Sequence, residues 1–507
     1  MTEFELKFQV DTQHRAAVEA AVARGRSHVE RLRARYFDTA DGALAAQRLV
    51  LRLRKEGQAW RQTAKAPTDS LLERHEDNVD LPPAGARDVP LPRIDRHDGT
   101  PVGDLIREAC RQAGHDPATV ELVPQYGTDV RRTLREMRTG DALVELAFDS
   151  GEVRSGEHAH ALCELEFELK GGSPRSMLEL AQRWRNRYAL WLDTVSKSER
   201  GQRLAQGRPF GDAVKARPPE LHKDQDGAEV FRTVLKACLA QILPNASEVA
   251  AGSTDAEHVH QLRVGIRRLR TALREMAALA PAISPEWDPA LTDAFQALGR
   301  RRDHDHLVHI VQPKLEGVGA PPVDGSVSAT DLPDPSEVVR AAAFQSVLME
   351  LIAASLPVEP TDEVESEHPA REETGSPRKV LRKRLSKLHR QVTRDGGRFE
   401  ELEPAAQHRV RKRLKRLRYL GEFVAPLFGA RRAKRYLEQL EPAQDALGEH
   451  NDNAVAIAAY RDNASHDGQA WFAVGWLSAQ QPASASECRK ALDKLADARP
   501  FWKASKR

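Results

Sequence analysis

The chain alternates from its first residues. In "EFELKF", Glu3, Glu5 and Lys7 fall on one side of an extended segment and Phe4, Leu6 and Phe8 on the other. Residues two apart on a strand point the same way, about 6.6 Å apart. The same period returns along the chain. "VLRLRK" sets Arg52 and Arg54 against Leu51 and Leu53. "VELAFD" sets Glu145 and Asp149 against Val144, Leu146 and Phe148. "CELEFELK" sets Glu164, Glu166, Glu168 and Lys170 against Cys163, Leu165, Phe167 and Leu169. Gly, Pro and Asp separate these segments, so residues 1–205 read mostly as short strands, with helices near Ala16–Ala23 and Ser176–Arg187. From about 226 the period becomes helical, in Leu-, Ala- and Arg-rich runs. The stretch 206–225 reads as a linker, and 226–507 as an all-helical domain. Pro-, Gly- and Ser-rich sequence near 315–335, and acidic Pro-containing sequence near 356–377, read as long loops within it.

Composition narrows the class. At 507 residues the chain exceeds one compact core. It is 40% hydrophobic and 30% charged, and 77 Lys+Arg nearly balance 75 Asp+Glu, so any basic surface is local. Four scattered cysteines suggest neither a zinc site nor a disulfide framework, and fit a reducing compartment. Glu3 and Glu5 stand where a signal peptide would be positive, and no apolar run approaches the roughly 20 residues that span a bilayer. A cytoplasmic protein without a membrane partner is expected.

Any one charged strand face could simply be solvated. Repetition argues otherwise. Several strands carry like-signed carboxylates at i, i+2, others carry Arg or Lys at that period, and the signs are sorted by strand. A divalent metal with oxygen ligands would resolve the acid clusters. A polyanion held by that metal would resolve the basic ones. Turned inward in a barrel, these faces make a tunnel for a metal-bridged chain of phosphates.

"EFELK", "RYFDT", "LRLRK", "QTAKAP", "ERHEDNV", "VRRTLRE", "VELAFDSGEV", "CELEFELKGG" and "SKSERG" follow in the order of the CYTH family, the triphosphate tunnel metalloenzymes. The resemblance covers about 1–205 and implies a closed antiparallel β-barrel binding triphosphate in its bore. It implies Glu3, Glu5, Glu164, Glu166 and Glu168 as ligands of Mg²⁺ or Mn²⁺, with Asp149, Glu76 and Glu145 nearby. It implies Lys7, Arg52, Arg54, Lys65, Arg74, Arg132 and Lys197 as phosphate clamps, with Arg35 a further candidate. Arg131 and Arg135 compete with Arg132 for the inward position. The implied reaction is metal-dependent hydrolysis of inorganic triphosphate to diphosphate and orthophosphate.

The helical half contains a repeat. "HQLRVGIRRLRTALRE" from His260 aligns without gaps with "HRVRKRLKRLRYLGEF" from His408, at an offset of 148. "ALGRRRDHD" and "ALGEHNDNA" follow, aligning Asp303 with Asp452 at an offset of 149. Two matched motifs in one order indicate a duplicated helical unit. At about 100° per residue, His260, Arg263, Arg267, Arg270 and Arg274 fall within about 80° of one another. Leu262, Ile266, Leu269, Leu273 and Met276 face away. In the second copy His408, Arg411, Lys412, Lys415 and Arg418 form the stripe, and a third basic run, "RKVLRKRLSKLHRQ", includes Arg382. Few acids at i±4 relieve the repulsion along these stripes. This half resembles the CHAD domain, which implies that these residues bind inorganic polyphosphate. Arg302-Asp303-His304 in the first copy departs from Asn451-Asp452-Asn453 in the second.

Three readings follow. The first is an inorganic triphosphatase whose tethered helical domain concentrates phosphate chains near the tunnel. The second is a polyphosphate adaptor that could dock on polyphosphate granules, its barrel idle; paired carboxylates argue against idleness. The third, nucleic-acid binding, lacks a stacking platform at 5% aromatic residues, so no specific nucleic acid is expected. Thiamine triphosphate or a nucleotide is the alternative substrate, because a tunnel of this kind reads phosphates.

Overall fold

The computed structural model describes residues 2–68, 73–82, 89–280, 282–323, 332–357 and 376–503, without the side chains of Thr2 and Glu3. The expected acidic loop near 356–377 lies almost wholly outside these residues, as does 324–331 of the other. The chain divides into two compact units. One comprises Met1–Ala213 with Leu243–Ser253 and Arg340–Met349. The other comprises Val214–Ile242, Thr254–Val339 and Glu350–Arg507.

The first unit is an antiparallel barrel. Its strands are β1 (Thr2–Gln9), β2 (Ser27–Asp38), β3 (Val50–Glu56), β4 (Ala59–Pro67), β5 (Glu73–Leu81), β6 (Val123–Thr139), β7 (Ala142–Ser155) and β8 (His158–Gly171). They run in the order β5-β4-β3-β2-β6-β7-β8-β1, and β1 pairs with β5 to close the ring. A short β9 (Trp191–Leu192) adds to β1. The helices of this stretch are α1 (Arg15–Val22), α2 (Ala43–Ala46), α3 (Pro101–Gln112), α4 (Pro174–Tyr188) and α5 (Lys197–Ala205). α1 and α4 were expected; α2, α3 and α5 were not.

Alternation decides which side faces what. On β1, β3, β4, β7 and β8 the outer face is apolar and covered. Leu6, Phe8, Val144, Leu146, Phe148, Leu165 and Phe167 are all buried. Phe167 meets Phe8 edge-on at 5.8 Å and Trp184 of α4 at 6.2 Å. Leu51, Ala64 and Ala66 pack with Ile106 and Cys110 of α3. On these strands, with the apolar alternates covered, the charged alternates are left to the bore.

The second unit is helical. The remaining helices are α6 (Gly227–Ala250), α7 (Ala256–Glu275), α8 (Trp287–His306), α9 (Gln312–Gly317), α10 (Pro335–Arg340), α11 (Ala342–Ser355), α12 (Pro377–Gly396), α13 (Pro404–Phe428), α14 (Ala430–Glu438), α15 (Glu441–Asn463) and α16 (Ala470–Ala496). The repeat maps onto α7 with α8, and α13 with α15. α7 packs against both α8 and α13, and α13 against α12, α14 and α15. The predicted apolar stripes are buried: Leu262, Ile266 and Leu269 on α7, and Val410, Leu414 and Leu417 on α13. Among the described residues no helix is long and apolar enough to cross a membrane.

Candidate active site

Strand register sorts the charges of the bore. Lys7 lies opposite Glu166, Arg132 opposite Asp149 and Lys65 opposite Glu76. Glu168 lies opposite both Glu5 and Glu145, and Asp149 opposite Glu164. Like charges directly across a ladder destabilise it, so this arc of the wall calls for added positive charge.

Lys197, the first residue of α5, supplies it. Its ammonium lies 2.7 Å from Asp149 Oδ2 and 2.6 Å from Glu166 Oε1, and also pairs with Glu164. Arg132 donates from Nε to Asp149 Oδ1 at 2.7 Å and from Nη2 to Glu166 Oε2 at 2.5 Å. Lys7 lies 3.5 Å from both Glu164 and Asp193, and donates to the Val195 carbonyl. Burial alone would weaken the charged form of Lys197, but Asp149, Glu164 and Glu166 raise its pKa well above the ordinary lysine value. Burial likewise opposes ionisation of Glu166, yet Lys197 and Arg132 hold it well below the usual carboxylate range. Glu5 goes the other way: burial, then the nearby Glu166 charge, push it up to about 7.

The opposite wall is cationic. A cavity of about 830 Å³ runs through the bore, with Arg52, Arg54, Lys65 and Arg74 lining it along with Glu76. Glu5, Lys7, Arg132, Glu145, Asp149, Glu166, Glu168 and Lys197 line it too. Glu164 is fully buried beside Asp149 and Glu166. One carboxylate oxygen from each of these three lies within 4.8 Å of the others. An all-oxygen donor set of that spacing suits a hard divalent cation such as Mg²⁺ or Mn²⁺. Glu145 and Glu168 share Lys170, at 3.2 and 2.6 Å. Glu3 lies opposite Arg74 in register, and its side chain is outside the described residues.

One expectation needs correcting. Arg35 is exposed on the outer face of β2, while its neighbours Tyr36 and Ala34 line the bore. Arg31 and Arg33 share the outer face and are satisfied there by Asp129, at 2.7 and 3.2 Å. The competition among three arginines also resolves: Arg131 pairs with Glu19, and Arg135 donates to the Ala21 carbonyl at 3.0 Å. Several lining residues escaped the sequence reading, among them Glu30, Tyr36, Arg61, Asp193, Ser196 and Ser198. Tyr36 is hydrogen-bonded to Arg52 and stacks on Tyr126 at 4.6 Å. A Cβ at Gly201 would lie 2.1 Å from the Tyr126 ring, so this position of α5 admits only glycine without displacing that stack.

In the helical unit part of the expected stripe converges. Arg263 and Arg267 both stand over the Phe295 ring, at 4.8 and 5.2 Å. Lys415 has its pKa lowered to about 6 by burial, then by Arg267 and Arg411. Burial, with Arg267 and Arg302 nearby, takes Arg263 down to about 10. Burial and neighbouring cations also lower His260 and His408; His408 hydrogen-bonds Asn451 at 2.9 Å. Nε of Arg263 and Nε of Arg411, equivalent in the repeat, are both buried without a hydrogen-bond partner. Arg302 joins this cluster through Asp452, at 3.3 Å, a role its mismatch with Asn451 could have signalled. Other predicted members are engaged elsewhere. Arg270 pairs with Asp288 and Arg418 with Glu422. Arg274, Arg382 and Lys412 are exposed.

Residues 1–201 match the model of the CYTH domain, and residues 233–461 that of the CHAD domain. The chain carries a CYTH domain followed by a CHAD domain. The inorganic triphosphatase of Haemophilus influenzae is 26% identical over 209 residues, 40% of this chain. The match spans 55% of that relative's length. Among solved structures, the CHAD domain of Ricinus communis is 26% identical, covers 55% of this chain and 96% of its own, and has a TM-score of 0.45. A Hippeastrum protein described as having a dominant triphosphatase activity is 17% identical, covers 41% of this chain and 97% of its own, and has a TM-score of 0.30.

Proposed function

We propose that the CYTH barrel hydrolyses inorganic triphosphate to diphosphate and orthophosphate with Mg²⁺ or Mn²⁺, and that the CHAD domain binds inorganic polyphosphate. The observation that carries this reading is one closed bore with a three-carboxylate set on one arc and four cations on another. Neither half suffices alone: cations would serve a receptor, and carboxylates a cation site. The relative named an inorganic triphosphatase supports the substrate, as does the attached CHAD domain.

Asp149, Glu164 and Glu166, joined by Glu5, would hold the metal, which when bound supplies Lewis-acid charge at the phosphate oxygens. The protein's own groups do the rest. Arg52, Arg54, Lys65 and Arg74 hold the phosphate chain in line with the acidic wall. Lys7, Arg132 and Lys197 stand where charge grows as water adds to the terminal phosphorus and the P–O bond to the leaving diphosphate breaks. The site needs no covalent nucleophile. In the CHAD domain, Arg263 and Arg411, whose Nε atoms are buried without a hydrogen-bond partner, would bind the phosphate oxygens together with Arg267, Lys415 and both histidines. All four cysteines are free, which suits the cytoplasmic setting we propose.

The test is phosphate release from inorganic triphosphate, thiamine triphosphate, ATP and long-chain polyphosphate, with Mg²⁺, Mn²⁺ or EDTA. Fast, EDTA-sensitive release from inorganic triphosphate alone is expected. Tight polyphosphate binding without hydrolysis of any substrate would instead make the protein an adaptor.

A further inference from the structure

We propose that Gln345 of α11 and Ser247 of α6 are positioning residues of the tunnel, holding the segment 192–196 that aims Lys7 and Lys197. The inference rests on the triphosphatase reading. Both residues lie in the stretch matching the CHAD domain, yet both belong to the barrel's unit.

β9 has two residues and a single partner strand, so it cannot fix its own course by ladder bonds. From Leu192 to Thr194 the backbone N–H groups alternate between two supports. The Asp193 N–H donates to the Lys7 carbonyl at 3.0 Å. On the other edge the Leu192 N–H donates to Gln345 Oε1 at 2.9 Å, and the Thr194 N–H to Ser247 Oγ at 3.0 Å. The Ser247 hydroxyl spends its own proton on the Leu243 carbonyl at 2.9 Å, which leaves its lone pairs to accept. An amide and a hydroxyl thus stand in for a missing neighbouring strand. Gln345 is 0% exposed and Ser247 1%, so water cannot replace either support.

Four of these five residues, Leu192, Asp193, Thr194 and Ser196, line the bore. The Val195 carbonyl accepts from Lys7, the Asp193 carboxylate lies 3.5 Å from the Lys7 ammonium, and Ser196 caps α5, whose first residue is Lys197. A shift of the segment therefore moves both ammonium groups together. Misplacement of a catalytic group by about 1 Å can cost on the order of 100-fold in rate.

The experiment uses the full chain. Gln345→Met keeps the side-chain length and removes the acceptor; Ser247→Ala removes the hydroxyl; Ser247→Thr keeps it. Amide exchange over 190–198 and kinetics on inorganic triphosphate with Mg²⁺ are read on each. In Q345M and S247A, exchange at Leu192 and Thr194 should accelerate at least about tenfold, and kcat should fall about 10- to 100-fold. S247T should stay within about threefold of the parent protein, a rescue that a general loss of packing would not give. If Q345M does not fold, the S247A and S247T pair decides. Unchanged exchange overturns the proposal, as does accelerated exchange with kcat and KM within about twofold. If the parent protein binds triphosphate without hydrolysing it, the hydrolase reading fails alone: a matching loss of affinity in the variants sustains the inference, and unchanged affinity overturns it. No binding at all overturns both.

Discussion

Glu5→Gln should stabilise the metal-free barrel, and should do so only at neutral to alkaline pH. Burial and the Glu166 charge lift the Glu5 pKa from 4.5 to about 7. Below pH 4.5 the carboxyl is protonated in both folded and unfolded chains and costs nothing. Between 4.5 and 7 the unfolded chain releases the proton while the folded chain keeps it. The folded state then binds more protons, so stability falls as pH rises through this window. Above pH 7 the loss is complete. A gap from 4.5 to about 7, at about 1.4 kcal/mol per pH unit, comes to about 3 kcal/mol. The glutamine side chain keeps the shape and carries no titration. The advantage of the variant over the parent protein should therefore grow by about 2–3 kcal/mol between about pH 5 and pH 8. For a barrel of this size that is roughly 5–10 °C in the unfolding midpoint.

The assay is calorimetric unfolding of both full-length proteins in EDTA at pH 5 and pH 8. The same comparison with Mg²⁺ should shrink the advantage at pH 8, because the ionised carboxylate then has a use. Triphosphate hydrolysis by E5Q should be lost at both pH values. A stability difference that does not change with pH would refute the reasoning, and so would an E5Q protein that loses stability relative to the parent as pH rises. Either result would mean that Glu5 is ionised in the fold, paired with the surrounding lysines.

Four further outcomes are expected. Lys197→Ala leaves Asp149, Glu164 and Glu166 without their shared ammonium, so the EDTA-treated barrel should lose about 3–5 kcal/mol, and Mn²⁺ should recover more stability in the variant than in the parent; both are read by thermal unfolding. Gly201→Ala drives a methyl into Tyr126 and should cost about 1–3 kcal/mol, with KM for triphosphate rising because Tyr126 stacks on the Arg52-bonded Tyr36. Polyphosphate should favour the charged form of Lys415, whose pKa of about 6 leaves it mostly neutral at pH 8; binding should take up a proton and weaken as pH rises from 6 to 8, by titration calorimetry in buffers of different ionisation enthalpy. Arg35→Ala, on the outer face, should leave triphosphate kinetics within about twofold in a steady-state assay, because its side chain is outside the bore.

How far such a site can be read from sequence depends on whether the chemistry repeats along the chain or across it. Charges at i, i+2 repeat along the chain, and one geometric rule puts Glu164, Glu166 and Glu168 on a common face before any fold is known. The rule cannot say which face is the inside. On β2 the expectation that an arginine faces the bore fails: Arg31, Arg33 and Arg35 point outward, Asp129 on the adjoining strand satisfies two of them, and Glu30, Ala34 and Tyr36 turn in. That choice is made across the chain, by a partner about a hundred positions away, and no local period records it. The helical half shows the same division. The buried stripes of α7 and α13 follow directly from the helical period. Which cations converge does not: Arg270 and Arg418 sit on the predicted stripe but are taken by Asp288 and Glu422. Arg302, off the stripe, enters through Asp452 from the other copy of the repeat. Least legible are Gln345 and Ser247. They carry no charge, belong to no motif, and reach the barrel from sequence more than forty positions beyond it. Their part is visible only when the backbone N–H groups of Leu192 and Thr194 are followed to their acceptors.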